Sequence, residues 1–264
     1  PPEPVKPSRA EKYEALGEVW PLLVLILTII GDTVVLTIGD IFGISRAIGL
    51  NFFSIPFTII AIIGVVNAFN MSDGHDGLTG SITIVSLLGL FLLSHYRATP
   101  ADQQYIVIIL LLVTLLAVFL TFNLGFMGTD KRVFLGDAGS MFLGLIMVFL
   151  LIELSQREIP VVSPAATPWI IGVPLLDMFA VVIFRVLSRV SPLKGDRNHL
   201  HHVLGKIRCG KMQTLLILVG AQCAFTSVGV LGTLLEWPDA LLFWGMFPIL
   251  FFTVLTQAWA QLRT

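Results

Sequence analysis

The stretch PFTIIAIIGVVNAFNMSDGHDG, residues 56–77, starts as an uncharged apolar run and ends in a dense group of polar side chains. Together with the residues before it, the apolar part approaches the roughly 20 residues that cross a bilayer as an α-helix. The polar part brings two asparagines, two aspartates and a histidine to the end of that helix. The stretch therefore predicts a membrane-spanning helix that ends in a polar site at the membrane boundary.

The rest of the chain has the composition of a membrane protein. Of its 264 residues, 56% are hydrophobic and only 12% are charged, whereas soluble domains carry about 25% charged residues. We therefore predict an all-α fold, a polytopic transmembrane helix bundle that forms a single domain over residues 1–264. About eight spans are expected, at residues 20–38, 54–70, 78–94, 104–122, 139–154, 168–187, 213–234 and 240–258. The net charge of −1 gives no indication of a nucleic-acid partner.

The basic residues predict how the bundle is oriented. With the N-terminus inside, thirteen of the sixteen Lys and Arg residues fall on one side of the membrane, and only Arg46, Arg97 and Arg157 fall on the other. Because cytoplasmic loops are enriched in Lys and Arg, the side with thirteen is predicted to be cytoplasmic. Three polar clusters, at residues 67–77, 123–140 and 194–202, lie on that side.

The first cluster has the residue types of a magnesium site. Asn67, Asn70, Asp73 and Asp76 follow one another at intervals of three residues, which places them along one slowly turning stripe of a helix. The glycines among them indicate that the helix gives way to a tight loop near Gly74. Carboxylate and amide oxygens suit Mg²⁺, which keeps some positions for water or phosphate. A capped, glycine-rich turn between two spans is the alternative.

The second cluster lies in FNLGFMGTDKRVFLGDAGSMFLG, residues 122–144, where Asp137 opens an apolar helix between small residues. One interpretation is that Asp137 simply caps the helix N-terminus. The small neighbours would also let a ligand approach the free N–H groups of a helix start, which attract phosphate. Asn123 ends the preceding span and is a candidate hydrogen-bond partner for a polar ligand. Lys131 and Arg132 are interpreted as topology signals rather than ligands.

The third cluster, SPLKGDRNHLHH at residues 191–202, combines three histidines with Asp196 and Arg197. One interpretation is a zinc site through His199 and His202, although no carboxylate or cysteine is spaced to complete it. Another is a patch of donors, in which the imidazoles and Arg197 hold phosphate or sugar oxygens. A solvated loop is the third alternative.

Asp177 lies inside a predicted span, and Arg185 follows it about two helical turns later. Ionisable residues within a span are costly and are usually functional, so we expect Asp177 to face the interior of the bundle. A transporter or channel that uses this pair as a relay is an alternative function. Such a protein would keep its polar groups near the middle of the membrane.

In this order, the three clusters resemble the polyprenyl-phosphate N-acetylhexosamine-1-phosphate transferase family, glycosyltransferase family 4. NAFNMSDGHDGL at residues 67–78 is similar to its N-x-x-N-x-x-D-G-x-D-G-L segment, and VFLGDAGSMFLG at residues 133–144 is similar to its F-x-G-D-x-G-S segment. DRNHLHH at residues 196–202 is similar to the H-x-H-H segment of the branch of bacterial UDP-GlcNAc:undecaprenyl-phosphate GlcNAc-1-phosphate transferases. The motifs together cover about residues 60–205.

The resemblance implies an enzyme that transfers N-acetylhexosamine-1-phosphate, expected to be GlcNAc-1-phosphate, from a UDP-sugar to undecaprenyl or another polyprenyl phosphate. The lipid phosphate attacks the β-phosphorus, UMP leaves, and a cell-surface glycan is started. A divalent cation, Mg²⁺ with Mn²⁺ as the alternative, would neutralise the phosphates. The expected partners are a UDP-N-acetylhexosamine and a polyprenyl phosphate lipid. The expected location is the bacterial inner (plasma) membrane, with the active site on the cytoplasmic side. A homodimer is a further possible partner arrangement.

The resemblance also implies roles for individual residues. Asp73, Asp76 and Asp137 would form the catalytic centre, with Asp137 and Asp73 as the metal ligands. Asn67 and Asn70 would help to position the uridine diphosphate. The remaining substrate contacts would come from Asn123, which faces the nucleotide, and from Asp196, Arg197, His199, His201 and His202, which hold the sugar or pyrophosphate.

One feature of the family has no counterpart here. The family carries an adjacent Asp-Asp pair on an earlier cytoplasmic loop, and no such pair exists in this chain. We therefore expect the chain to lack N-terminal spans of the complete catalytic domain. A degenerate homologue that binds a UDP-sugar without turning it over is the alternative.

Overall fold

In the computed structural model, the described residues are 33–97, 99–189, 199–206 and 208–262, together with Thr28 and Gly31. This part of the chain is helical, and its β pairing is limited to one isolated antiparallel bridge between Thr37 and Gly49. Its α-helices, numbered here α1 to α9, are Ser54–Ser72, Leu78–Arg97, Gln103–Asn123, Gly136–Ser155, Thr167–Ile170, Gly172–Leu187, Leu200–Lys206, Lys211–Leu234 and Asp239–Leu262. The predicted all-α fold is confirmed.

Six of these helices, α1 to α4, α8 and α9, are long and apolar enough to cross a membrane. The segment Pro164–Ile170 and α6 pass the same test as a pair, although the pair bends by 87°. Seven of the expected spans therefore have counterparts, and the protein is a multi-pass helical bundle. The first expected span, 20–38, lies mostly outside the described residues, and its described end from Thr33 onward is not helical.

The bend between α5 and α6 is a departure from the single span expected at 168–187. Pro174 has no N–H group, so the carbonyl of Ile170, four residues earlier, loses its helical partner. Two buried side chains from other helices replace that partner. Gln222 of α8 donates to the Ile170 carbonyl at 2.7 Å, and Ser86 of α2 donates to it at 2.6 Å. A broken backbone is tolerated inside a membrane when neighbouring helices satisfy it in this way.

Helix α1 packs most extensively on α4, and this contact fixes the geometry of the site. A Cβ atom at Gly144 of α4 would lie 2.8 Å from the Cα atom of Val66 on α1, so the two backbones approach closely there. One helical turn further on, the hydroxyl of Ser140 donates a hydrogen bond to Oδ1 of Asn70 at 3.0 Å. The close packing therefore aligns the end of α1 with the start of α4.

The other helices bring the remaining loops to the same end of the bundle. Helix α2 packs against α3 and α8, and α6 lies against α1 and α9. The turn before α2 touches the end of α3 and the start of α8, since a Cβ atom at Gly77 would lie 2.5 Å from Leu124 and 3.4 Å from Leu215. The loops that join α1 to α2, α3 to α4 and α7 to α8 thus share the end of the bundle where the charge pattern predicts the cytoplasm.

Candidate functional site

The turn at residues 73–77 forms the floor of the site. Helix α1 ends at Ser72, and Asp73 follows it as the C-cap residue, so the predicted change from helix to loop is confirmed. Gly77 has a φ of +78°, a left-handed conformation that strains any residue with a Cβ atom. Glycine at this position lets the turn close against the end of α3.

A small pocket of about 90 Å³ opens at this turn. Its walls come from the 73–77 turn, from Thr79 and Gly80 of α2, from Phe119 and Asn123 of α3, and from Phe134 and Leu135 before α4. The first and second polar clusters, which are far apart in the sequence, therefore line one pocket.

Asp73 lies in a strongly negative part of this pocket. Burial raises the pKa of the Asp73 carboxyl from 3.8 to about 6. The nearby Thr79 hydroxyl lowers this pKa in part, whereas the negative charges of Asp137 and Asp76 raise it further. A neighbouring negative charge favours the neutral form of a carboxyl group and so raises its pKa. Asp73 and Asp76 thus line the pocket, and the charge of Asp137 acts on Asp73 from the start of α4.

The start of α4 supplies the third of these carboxylates. Asp137 lies in the first turn of α4, while the N-cap residue is Leu135, which makes no side-chain cap. The alternative in which Asp137 is the N-cap residue is therefore not supported. Its side chain is half-buried and its charge raises the pKa of Asp73, although Asp137 itself does not line the pocket.

The acidic group suits Mg²⁺ better than zinc. Among the described residues, no set of three or more His, Cys, Asp or Glu side chains is arranged to hold a metal ion by itself, so the zinc alternative gains no support there. Mg²⁺ is usually held by one or two carboxylates and completes its shell with water and substrate phosphates. Asp73 and Asp137 are the candidate ligands, because a cation beside Asp73 would favour the ionised form that burial, and then the charges of Asp137 and Asp76, disfavour.

Asn123 presents an unused acceptor to the pocket. Its Nδ2 donates to the Val133 carbonyl at 2.8 Å, which fixes the orientation of the amide. Its Oδ1 is buried and has no hydrogen-bond partner in the described part of the chain. A buried acceptor without a partner is costly, so this oxygen is a candidate for a ligand's donor group.

Arg132 also lies at the site, so its interpretation as a topology signal alone was incomplete. One guanidinium nitrogen, NH1, lies 3.6 Å from Oδ2 of Asp76. Both side chains are partly exposed, so the ion pair itself contributes little stability. The contact joins two loops that are distant in sequence, and no local pattern could have indicated it. It places a positive charge beside the acidic group, where a phosphate could bind.

The third cluster reaches the first through the short helix α7. His201 is buried, and a Cβ atom at position 74 would lie 2.6 Å from its Nε2, so Gly74 is what lets the imidazole touch the turn. Burial, followed by the charge of His202, lowers the pKa of His201 to about 4, although the charge of Asp177 opposes this. His201 is therefore neutral at physiological pH and offers a hydrogen bond rather than a positive charge.

The structure does not bring every predicted residue to the pocket. Asn67 is exposed, and its Nδ2 donates to the Ile63 carbonyl of its own helix at 2.8 Å. His202 is also exposed. Asp196 and Arg197 lie outside the described residues, so their roles stay predictions.

Asp177 faces the interior of the bundle, as expected, and is buried. Its carboxylate contacts the third cluster, since Oδ2 lies 3.0 Å from Nδ1 of His199. The side chain thus belongs to the surroundings of the third cluster. Gln257 of α9, which contacts the same carboxylate, was not a candidate, because an isolated Gln in an apolar run gives no sequence signal.

These features define a class of protein: a multi-pass membrane protein that gathers carboxylates, amides and imidazoles from separate loops at one membrane face. Comparison with known families places the chain more narrowly. The model of glycosyl transferase family 4 matches residues 17–155, and the chain belongs to that family.

The relatives agree with this assignment. The undecaprenyl-phosphate alpha-N-acetylglucosaminyl 1-phosphate transferase of Escherichia coli (strain K12) is 31% identical over 245 residues, which cover 90% of this chain and 65% of the relative. The enzyme of the same name from Yersinia pestis is 30% identical, over 86% of this chain and 62% of the relative. The enzyme of that name from Haemophilus influenzae is 31% identical, over 92% of this chain and 68% of the relative. The chain thus spans about two thirds of the length of these relatives.

Proposed function

We propose that this protein transfers N-acetylhexosamine-1-phosphate, with GlcNAc as the expected sugar, from a UDP-sugar to undecaprenyl or another polyprenyl phosphate, with release of UMP. The product would start a cell-surface glycan at the bacterial inner membrane. Membership in glycosyl transferase family 4 and the names of the relatives support this function. The observation that carries it is that the start of α4, which bears Asp137, and His201 of α7 both contact the segment that bears Asp73 and Asp76.

The position of the site suits two very different substrates. A polyprenyl phosphate arrives within the bilayer, while a UDP-sugar arrives from the aqueous phase. The site lies where α1 ends and α4 begins, at the boundary where the lipid phosphate can meet the nucleotide. In the reaction, an oxygen of the lipid phosphate bonds to the β-phosphorus of the UDP-sugar. The bond from that phosphorus to the bridging oxygen breaks, and UMP carries the bridging oxygen away.

The residues of the pocket divide this task between them. Mg²⁺ held by Asp137 and Asp73 would neutralise the phosphates and the charge that develops during transfer. Oδ1 of Asn123 accepts a hydrogen bond from the nucleotide, and this contact fills its unsatisfied acceptor. Neutral His201 donates a hydrogen bond to a sugar or phosphate oxygen next to Gly74. Arg132 gives up part of its contact with Asp76 to bind a phosphate oxygen.

The test is to measure UMP release by the full-length protein that contains this chain, in lipid nanodiscs with UDP-GlcNAc and undecaprenyl phosphate. We expect release that requires Mg²⁺ or Mn²⁺, and a fall of about 100-fold in the variant Asp137→Asn. The matched control is Asp130→Asn, the same chemical change at an exposed aspartate in the same loop, which should release UMP at the wild-type rate. Equal activity in wild type and Asp137→Asn would contradict the proposal.

The same experiment separates the alternatives. If UDP-GlcNAc binds but no UMP forms under any of these conditions, the protein is a degenerate homologue. The transporter alternative predicted a relay through Asp177 and Arg185. It is disfavoured, because both Asp177 oxygens are engaged by the third cluster and by α9.

A further inference from the structure

A single buried carboxylate anchors the start of the histidine-bearing helix α7. Oδ1 of Asp177 accepts a hydrogen bond from the backbone N–H of Leu200, the first residue of α7, at 2.8 Å. Oδ2 of the same carboxylate lies 3.0 Å from Nδ1 of His199. Asp177 therefore satisfies one free N–H at the start of α7 and contacts the imidazole beside it.

Helix α9 holds the other side of this arrangement. Gln257 is fully buried, and its Nε2 donates to Oδ1 of Asp177 at 3.0 Å. Its Oε1 is left without a hydrogen-bond partner within the described ranges. The opposite amide orientation would turn this oxygen toward the carboxylate, so the unsatisfied acceptor is the cost of supporting Asp177. At the other end of α7, Nζ of Lys206 donates to the Ala260 carbonyl of α9 at 3.3 Å.

These contacts determine how the imidazoles are presented. A carboxylate accepts a hydrogen bond, so the contact with Asp177 places the proton of His199 on Nδ1 and leaves Nε2 as an acceptor when the ring is neutral. The rings of His199 and His201 are nearly parallel, 4° apart in plane and 5.8 Å between centroids. His201 in turn touches the 73–77 turn at Gly74. A chain of contacts thus runs from α9 through Asp177 and the histidines to the pocket.

We propose that Asp177 and Gln257 are positioning residues, which hold α7 so that His199 and His201 face the acidic turn. Neither side chain lines the pocket. The part of this inference that concerns catalysis rests on the proposed transferase function, while the part that concerns the placement of the imidazoles does not. Two measurements therefore test these two parts separately.

The first measurement needs no activity. Diethyl pyrocarbonate modifies accessible, unprotonated imidazoles, and mass spectrometry gives the labelling rate of each histidine in the solubilised full chain. We expect labelling of His199 and His201, relative to exposed His95, to rise about fivefold or more in Asp177→Ala and in Gln257→Met. Asp177→Ala removes the hydrogen bonds to α7, and Gln257→Met removes the buried hydrogen bond that supports Asp177. Unchanged ratios in both variants would overturn the proposal.

The control for this labelling is Gln222→Met. Gln222 is also a fully buried glutamine in a span, but its contacts support the bend between α5 and α6 instead of α7. We expect this variant to unfold at a lower temperature and to leave the ratio of His199 and His201 to His95 unchanged. The same rise in the control variant would show general loosening and would contradict a specific role for Gln257.

The second measurement is a double-mutant cycle on UMP release. Asp177→Asn and Gln257→Met should each lower kcat/KM by about 10- to 100-fold in the wild-type background. In a His199→Ala, His201→Ala background, the same changes should cost little more, because their effect acts through the imidazoles. Additive losses would indicate a merely structural role and would overturn the catalytic part. If the wild-type full-length protein releases no UMP, the proposed function fails, while the labelling result still decides the placement of α7.

Discussion

The surroundings of Asp73 disfavour the ionised form of its carboxyl group. Its pKa is about 6 in the folded chain, against an ordinary value of 3.8, because it is buried and lies near Asp137 and Asp76. The folded state therefore binds the proton more tightly than the unfolded state does. Stability from this group is present below pH 3.8 and is lost as the pH rises through about 6. Without a cation, the ionised site works against the fold at neutral pH.

The loss of stability that ionisation of Asp73 causes leads to a prediction for the metal-free protein. In EDTA, the variant Asp73→Asn should unfold at a higher temperature than wild type above pH 6, and the difference should shrink toward zero as the pH falls to about 4. Thermal unfolding followed by tryptophan fluorescence across this pH range measures the difference. Addition of Mg²⁺ should stabilise wild type more than Asp73→Asn, because the cation compensates the repulsion that the variant no longer has. A difference independent of both pH and Mg²⁺ would contradict this account of the site.

At the scale of helices and loops, features set by the local sequence pattern could be predicted, whereas features set by tertiary contacts could not. The apolar runs predicted seven described spans, because a helix in lipid must be apolar over about 20 residues wherever it packs. The Asp73 turn and the start of α4 were also predictable, since glycine and aspartate mark such ends locally. Three contacts between distant segments could not be predicted: Arg132 with Asp76, Gly74 with His201, and Gln257 with Asp177. A span is apolar toward both lipid and protein, so its sequence does not show which side meets which neighbour.

The contact of α1 with α4 gives a second prediction. In Gly144→Ala, the new Cβ atom would lie 2.8 Å from the backbone of Val66, so the helices must separate, and we expect a loss of about 1–3 kcal/mol in unfolding free energy. The matched control is Gly220→Ala in α8, where a Cβ atom would meet nothing within 4 Å. That variant should be as stable as wild type or more stable, because alanine favours a helix over glycine. Chemical denaturation in detergent measures both. Equal losses would show that α1 and α4 are not closely packed.

The whole molecule has two unlike ends. One end holds the acidic turn, the start of α4 and α7, while the other holds Arg97, Arg157 and a different set of contacts. At that second end Arg97 donates to the Thr233 carbonyl at 2.8 Å, and Arg157 forms an ion pair with Asp102. Each end holds buried polar atoms without hydrogen-bond partners among the described residues, Asn123 Oδ1 and His201 Nε2 at the first end and Ser94 Oγ at the second. Function is expected at the first end because Asp73, Asp76 and His201 of the motif clusters lie there. The orientation of this end in the membrane decides which substrates can reach it.

That orientation can be measured with the native cysteines, which are both free thiols. Cys209 lies in the loop between α7 and α8, and Cys223 lies within α8 on an exposed face. A membrane-impermeant maleimide should label Cys209 in inverted inner-membrane vesicles and not in intact spheroplasts, because the basic residues predict that this loop is cytoplasmic. Cys223 should react in neither, since it lies within a predicted span and an impermeant reagent does not enter the hydrocarbon. The control is Glu236→Cys in a cysteine-free background, where an exposed residue of the opposite end should show the reverse pattern. Labelling of Cys209 from the outside would place the acidic turn where a cytosolic UDP-sugar cannot reach it, and the proposed transfer reaction would be wrong.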